Sequence, residues 1–354
     1  MSSSDTISAP QRLEAVLADA RDQMTAVQQP DGHWIFELEA DVTISAEYIL
    51  LQHFLGEIDD ADVSALAAHI RAIQSADGSW PLFARGDGDL SATVKAYYAL
   101  KLAGDDPDGP HMRKARAYIL ARGGAAKANV FTRIALALFG AVPWRAVPAM
   151  PIEIMLLPRW FPFHLAKVSY WSRTVIVPLL ILMALKPQAR NPRGIGIREL
   201  FVTPPELERD YISNASGDPL AEAFIRLDRM VRAVEPRFPK IARDRAMRAA
   251  VDFMTERLNG EEGLGAIFPA MANAVMAMDA LGCSPDDPAV VTAKRALKHL
   301  LITTERGTTH CQPCLSPVWD TSLAMHALME AGEPPDAPSG DAPTDESPPD
   351  EPGR

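Results

Sequence analysis

The side chains able to do chemistry in this chain fall into three groups. Cys311 and Cys314 form a C-x-x-C beside His310. Asp59-Asp60, Asp105-Asp106 and Asp286-Asp287 are adjacent acid pairs. Gln28 to Trp34 (QQPDGHW) and Gln74 to Trp80 (QSADGSW) repeat one pattern of Gln, Asp, Gly and Trp, 46 residues apart. A structural zinc wants four ligands and a lone C-x-x-C supplies two. A redox pair belongs beside a βαβ pattern, which is absent here, so the two cysteines read as reduced and buried. All three acid pairs follow glycines that close helices, the usual place for solvated carboxylates, and none is a candidate catalytic acid. The sequence holds no G-x-x-x-x-G-K-[ST], H-E-x-x-H or G-x-S-x-G, so phosphate-loop, zincin and hydrolase chemistry find no support. No metal and no cofactor are expected.

The repeated pattern has a structural meaning. Asp-Gly makes a turn, because glycine takes positive φ and Asp bonds its own backbone. Gln28 and Gln74 can satisfy backbone groups left free at adjoining helix ends. Trp34 and Trp80 then lay a large apolar face across the hairpin. Gln28, Gly32, Trp34, Gln74, Gly78 and Trp80 are therefore expected to staple consecutive helices. A weaker third copy, Leu258 to Pro269 (LNGEEGLGAIFP), keeps the glycines and loses Gln and Trp.

The elements that carry these residues are helical almost throughout. Ala46 to Gly56, Thr93 to Gly104, Asn273 to Gly282 and Asp320 to Gly332 are apolar at helical spacing, and each closes on a glycine suited to the left-handed C-cap. Val175 to Leu185 reads as a buried helix from its Leu, Met and Ala content. Hairpins repeating every 40 to 50 residues imply an array in which each buries its apolar face on the next. Residues 333–354 hold seven acidic residues, seven prolines and no Leu, Ile, Val or aromatic, so they are expected to be disordered.

Composition bounds the function. At 354 residues and 47% hydrophobic, the chain can bury a sizeable core, which excludes wholesale disorder, collagen and a disulfide-stapled miniprotein. Thirty-five Lys and Arg against 46 Asp and Glu argue against a nucleic acid partner. The longest uncharged apolar runs, 11 residues each, are too short to cross a bilayer, and the first residues show no signal peptide. Three cysteines suggest a reducing, cytoplasmic setting. Phe224 to Pro239 mixes Phe, Ile, Leu, Met and Val with four arginines, a basic amphipathic pattern suited to a headgroup layer or to a plain surface helix.

The Q-x-x-D-G-x-W repeats resemble the QW motifs of the triterpene cyclases. Met150 to Leu182 (MPIEIMLLPRWFPFHLAKVSYWSRTVIVPLLIL), Ile197 to Glu206 (IRELFVTPPE), Gly263 to Gly282 (GLGAIFPAMANAVMAMDALG) and Cys311 to Leu328 (CQPCLSPVWDTSLAMHAL) resemble squalene-hopene cyclases in particular. The likeness runs from about Leu13 to Gly332 and covers the first half of that family's chain. It implies an all-α fold: an α/α barrel (toroid) of helical hairpins with QW repeats, plus a fragment of a second α/α barrel. On this view residues 1–39 are an N-terminal arm of the catalytic barrel, 40–310 a complete α/α barrel, 311–332 the first returning helix of the catalytic barrel, and 333–354 the tail. Residue by residue, the resemblance assigns Trp171, Ile267, Pro269, Trp319 and Asp320 to the substrate cavity and Ile176 to its channel. Taken alone these are ordinary core residues, with Asp320 an N-cap before Thr321.

The family's reaction begins when an Asp-x-Asp-Asp acid protonates a terminal double bond of squalene, and that motif does not occur in these residues. The resemblance thus implies the N-terminal portion of a squalene-hopene cyclase of hopanoid biosynthesis, inactive alone, with squalene or a related polyprenoid, a membrane surface on its cytoplasmic side and the C-terminal cyclase half as partners. The alternative is a non-catalytic lipid-binding or scaffold barrel. Prenyltransferase or glycosidase chemistry would need a zinc set or a carboxylate pair in a polar cleft, and neither is visible.

Overall fold

A computed structural model of the chain describes residues 9–212, 217–259, 263–304 and 307–332. The acidic, proline-rich tail lies outside the described residues. The protein is all-α, with twelve described helices and three two-stranded ribbons. Residues 9–37 and 315–332 fall in one unit and residues 38–314 in a second, larger one.

In the larger unit five helices form an inner layer: α2 (Val42–Leu55), α4 (Leu90–Leu102), α6 (Val130–Leu138), α7 (Tyr170–Leu185) and α10 (Phe268–Ala280). Four of them, α2, α4, α7 and α10, are predominantly apolar; α2, α4 and α10 bury most of their residues and α7 its C-terminal half. Around them lie α3 (Asp60–Ala72), α5 (Pro110–Ala121), α9 (Lys240–Thr255) and α11 (Pro288–Lys298), each burying one stripe. Helix α3 packs on α2, α5 on α4, α9 on α7 and α11 on α10. Within the inner layer α2 packs on α4, α4 on α6, and α10 on both α7 and α2, so contacts run α6, α4, α2, α10, α7 and both end helices line one cavity. This is an α/α barrel.

Caps set the ends of the inner helices. The Asp41 carboxylate accepts from Thr43 N at 2.7 Å before α2, and Asp89 accepts from Ala92 N at 2.8 Å before α4. Helices α2, α4 and α10 begin three to five residues earlier than apolar spacing alone suggests, because the cap or a proline, rather than the first periodic residue, starts the helix. Gly56, with φ 67°, closes α2 as expected.

The ribbons join outer helices to inner ones. Ribbon β1 (Trp80–Pro81) and β2 (Gly88–Asp89) leads into α4, and β3 (Leu258–Asn259) and β4 (Gly263–Leu264) leads into α10. Ribbon β5 (Leu301–Thr303) and β6 (Thr309–Cys311) follows α11. These strands are too short to leave an alternating pattern in the sequence.

The second staple works as a set of hydrogen bonds. The Trp80 indole donates to Ile70 O at 2.8 Å, taking a carbonyl left free in the last turn of α3. Its backbone N–H donates to Thr93 Oγ1 of α4 at 3.2 Å. Gln74 donates to Gly78 O at 3.0 Å and to His111 O at 3.1 Å. The helix-end carbonyl is therefore met by the indole, and Gln74 braces its own turn and α5.

The first staple corrects the expectation that consecutive helices are joined. In the smaller unit Trp34 donates its indole N–H to Met24 O in α1 (Ala9–Ala26) at 2.8 Å, and Gln28 donates to Gly32 O at 2.8 Å. The Trp34 backbone N–H, however, reaches Thr321 Oγ1 at 3.0 Å, in α12 (Pro317–Glu330). The motif is local, but its receiving helix lies 287 residues on. Helix α2, next in the chain, is met instead by β6, where Cys311 N donates to Ser45 Oγ at 3.1 Å.

Two other expectations need correction. Asp320 is not an N-cap: Pro317 starts α12, Ser316 holds the cap position, and the Asp320 carboxylate accepts from Phe36 N at 3.0 Å. Asp105 is not a solvated carboxylate. Its side chain is 6% exposed and sits between Arg71 and His111, 2.6 Å from His111 Nε2. Burial pushes its carboxyl up, but hydrogen bonds from the Arg71 guanidinium and the His111 ring outweigh this and hold it below the usual range.

His53 on α2 is fully buried, and neither ring nitrogen has a hydrogen-bond partner. Burial, with a smaller push from Arg193, lowers its pKa from 6.5 to about 4. The unfolded chain then binds a proton that the folded chain refuses, so stability present above pH 6.5 is lost as pH falls toward 4. Urea titration at pH 7.5 and 4.5 should show His53 contributing about 2–3 kcal/mol of the loss, and His53→Leu should remove that share.

Gly78 has φ 90°, and a Cβ there would lie 2.5 Å from Lys114 Cβ and 2.6 Å from its carbonyl carbon. Gly104 also has positive φ, but its surroundings are open. Gly104→Ala should cost about 1–2 kcal/mol of backbone strain in urea titration, and Gly78→Ala clearly more because α5 must also move.

Candidate functional site

The inner ring encloses a cavity of about 380 Å³. Its wall is mostly apolar: Ile44, Leu51 and Phe54 from α2, Ile134 and Leu138 from α6, Leu179 from α7, and Phe268, Ala272 and Met276 from α10. Thr43, Asn129, Phe268 and Pro269 stand at or beside helix starts. Leu82 and Phe131 line the cavity yet remain exposed, which places them at its mouth.

One ion pair interrupts the apolar wall. Lys95 of α4, 6% exposed, donates from Nζ to Glu47 Oε1 of α2. Each charge is carried by the face its helix turns toward the cavity, and each is satisfied by the other across the α2 to α4 contact. Behind this wall, burial and the charge of Glu47 push the Cys311 thiol well above its ordinary pKa, so it stays protonated. Cys311 is buried, Cys314 is half-buried, and no disulfide joins them. Among the described residues no group of three or more His, Cys, Asp or Glu side chains is placed to hold a metal ion.

A second, more open hollow of about 620 Å³ runs past Trp144, Lys186 and Arg198. Its Arg145 is occupied by the carbonyls of Pro205, Glu206 and Glu208. The ring cavity is the better bounded and the more apolar, as small-molecule sites are.

Of the residues expected at the site, Pro269 lines the ring cavity. Ile267, at the cap position of α10, bridges to Cys314. Ile176 stands on α7 next to Val175, which lines the cavity. Trp171, in the first turn of α7, is 51% exposed and packs edge-on against Tyr170 at 5.5 Å. Trp319 and Asp320 belong to the smaller unit, where Trp319 is 66% exposed. Sequence reasoning did not single out Glu47, Lys95 or Phe131. A signal existed for the first two: Glu47 is the one carboxylate in α2, and Lys95 is a charge in the middle of an otherwise apolar stretch of α4.

Helix α8 (Pro219–Val234) carries a different kind of surface. Its Asp228 accepts from Ala149 N at 2.6 Å, and Arg232 bonds Asp228 and the Val147 carbonyl. The polar side thus anchors the helix to the protein. Leu220, Phe224, Met230 and Val234 are left exposed, joined by Phe163, whose ring lies 6.3 Å from that of Phe224. Trp160 and Ile241 are exposed as well. No helix among the described residues is long and apolar enough to cross a membrane.

Comparison with known proteins decides the family. The family model described as the squalene-hopene cyclase N-terminal domain matches residues 17–306. The chain belongs to this family. It is 54% identical over 329 residues to the squalene-hopene cyclase of Zymomonas mobilis, covering 90% of this chain and 49% of the relative. It is 51% identical to that of Bradyrhizobium diazoefficiens, covering 92% of this chain and 50% of the relative. The Alicyclobacillus acidocaldarius cyclase is 33% identical, with 90% of this chain and 49% of the relative covered. The chain spans about half the length of these curated relatives.

Within this cyclase domain the Glu47–Lys95 pair is a stability element as well as a cavity feature. Lys95→Met should cost about 3–5 kcal/mol in urea titration, because it leaves a carboxylate unpaired against apolar side chains. Lys95→Met combined with Glu47→Leu should recover much of that loss.

Proposed function

We propose that this chain is the N-terminal portion of a squalene-hopene cyclase and supplies part of the wall that holds a polyprenoid. The apolar ring cavity carries this reading, together with the family's match to cyclases of squalene. In the proposed reaction a proton enters at one terminal alkene, the chain folds into rings as a carbocation, and a proton leaves at the far end, so substrate and product are isomers. These residues contain no Asp-x-Asp-Asp, and the acid pairs Asp59-Asp60, Asp105-Asp106 and Asp286-Asp287 lie outside the cavity lining. The starting proton must therefore come from residues beyond these, in a C-terminal cyclase half. Trp171, Ile267, Trp319 and Asp320 are proposed to face substrate once that half is present, with Ile176 on the access channel. Val318, Trp319, Leu323 and Met329 are exposed along α12, a stripe that needs an apolar partner.

Helix α8 supports a second part of the proposal, peripheral attachment to the cytoplasmic leaflet. A helix held to its protein through Asp228 and Arg232, with exposed apolar side chains beside exposed Arg226 and Arg229, is suited to the headgroup and acyl boundary of one leaflet. Cys283, Cys311 and Cys314 form no disulfide with one another, which fits a reducing compartment. The alternative, a non-catalytic lipid-binding barrel, is favoured by the cavity being enclosed by this chain's own helices.

Incubation with squalene and gas chromatography should give no hopene from the chain alone. Adding a C-terminal cyclase half should restore product and solubility together. Restored solubility without product would favour the lipid-binding alternative. In vesicle co-sedimentation, Phe224→Asp with Met230→Asp should lower the bound fraction at least about fivefold, since two charges must then enter the apolar layer.

A further inference from the structure

We propose that the loop between β1 and β2, Leu82 to Asp87, is a gate over the ring cavity, with Leu82 as its inner face and Phe83 as its latch. The proposal rests on the reading that the cavity holds an apolar chain, and it adds how that chain gets in.

The loop is fixed at its base and loose at its tip. At the base, Trp80 pairs with Asp89 and Pro81 with Gly88, and the Tyr118 hydroxyl donates to the Gly88 carbonyl. Trp80 is itself held by the Ile70 carbonyl and the Thr93 hydroxyl. Across the tip, the described backbone bond is Gly86 N to Phe83 O at 2.9 Å. A segment with few bonds between firmly held ends opens locally at small cost.

Its side chains stand where a gate needs them. Leu82 lines the cavity while half exposed, opposite Phe131 from the first turn of α6, which does the same. The next residue, Phe83, is 72% exposed, the largest exposure of any phenylalanine among the described residues. Its ring folds back on Gly86, where an added Cβ would lie 2.9 Å from Cε2 and Cζ. Arg85 between them has φ 64°, a left-handed conformation that a non-glycine residue holds at a cost.

These features describe two competing arrangements. In the observed one, Phe83 packs on the Gly86 backbone at the cost of strain at Arg85 and an aromatic ring left in water. If Phe83 leaves Gly86, the tip can move and carry Leu82 with it, changing the width of the mouth. Gating of this kind alters how fast a ligand passes and leaves its final affinity nearly unchanged, since free and loaded cavity share the same wall.

The test is stopped-flow binding of a dansyl-tagged fifteen-carbon isoprenoid to the purified full chain. Gly86→Ala should evict the Phe83 ring, and Phe83→Ala should remove it. Both should raise the association and dissociation rates by at least about threefold while Kd changes less than about twofold. Arg85→Gly, which relieves the strain of the latched state, should lower both rates. Ala135→Trp, which fills the cavity from α6, should abolish binding with an unchanged circular dichroism spectrum. If Ala135→Trp abolishes binding but the loop variants keep wild-type rates, the gate is overturned and the cavity stands. If wild type and Ala135→Trp bind alike, or wild type binds no probe, the cavity reading falls and the gate with it.

Discussion

Helices α2, α4, α7 and α10 have no polar side to turn to water, and that constraint shapes everything else in the larger unit. A helix apolar all round must be covered all round. A line of such helices leaves its two end members half bare, whereas a ring leaves none. Contact between α10 and α2 joins the two sides of the inner layer, and the outer helices need only one apolar stripe each because they cover that layer from outside.

A ring of five helices also leaves space at its centre, and the same constraint makes that space apolar. The inner faces that would otherwise be core become the wall of an apolar cavity. The Glu47–Lys95 pair is the exception, tolerated because both charges come from helices already in contact. Burying either charge alone would cost several times what the pair costs.

Outside the ring, the surfaces that lack cover follow a different logic. Helix α8 is tied to the protein through Asp228 and Arg232, and exposes Leu220, Phe224, Met230 and Val234 beside Arg226 and Arg229. Helix α12 has a small core with Trp34, Ala324 and Leu328 while its other apolar side chains stay exposed. Both leave apolar side chains in water, which is the cost that the proposed lipid layer and the proposed C-terminal half would each remove.

The sequence by itself determined the helical class, the tight turns and the family, because these rest on local events. Asp-Gly turns, glycine caps and indole bonds ten residues back are all made within one stretch of chain, and Gln74, Gly78 and Trp80 act as their order suggests. Only the tertiary structure decided where each staple delivers its helix. Trp34 and Trp80 carry the same motif, yet one meets α4 13 residues on and the other α12 287 residues on. A backbone N–H seeking a threonine hydroxyl is indifferent to sequence distance, so nothing in the motif distinguishes the two. The cavity is likewise a property of packing: Pro269 was legible by resemblance, but Glu47, Lys95, Leu82 and Phe131 come to line one cavity only when α2, α4 and α6 pack together. Asp105 shows the same limit, since its burial depends on Arg71 from another helix, 34 residues back, and no local pattern announces that meeting.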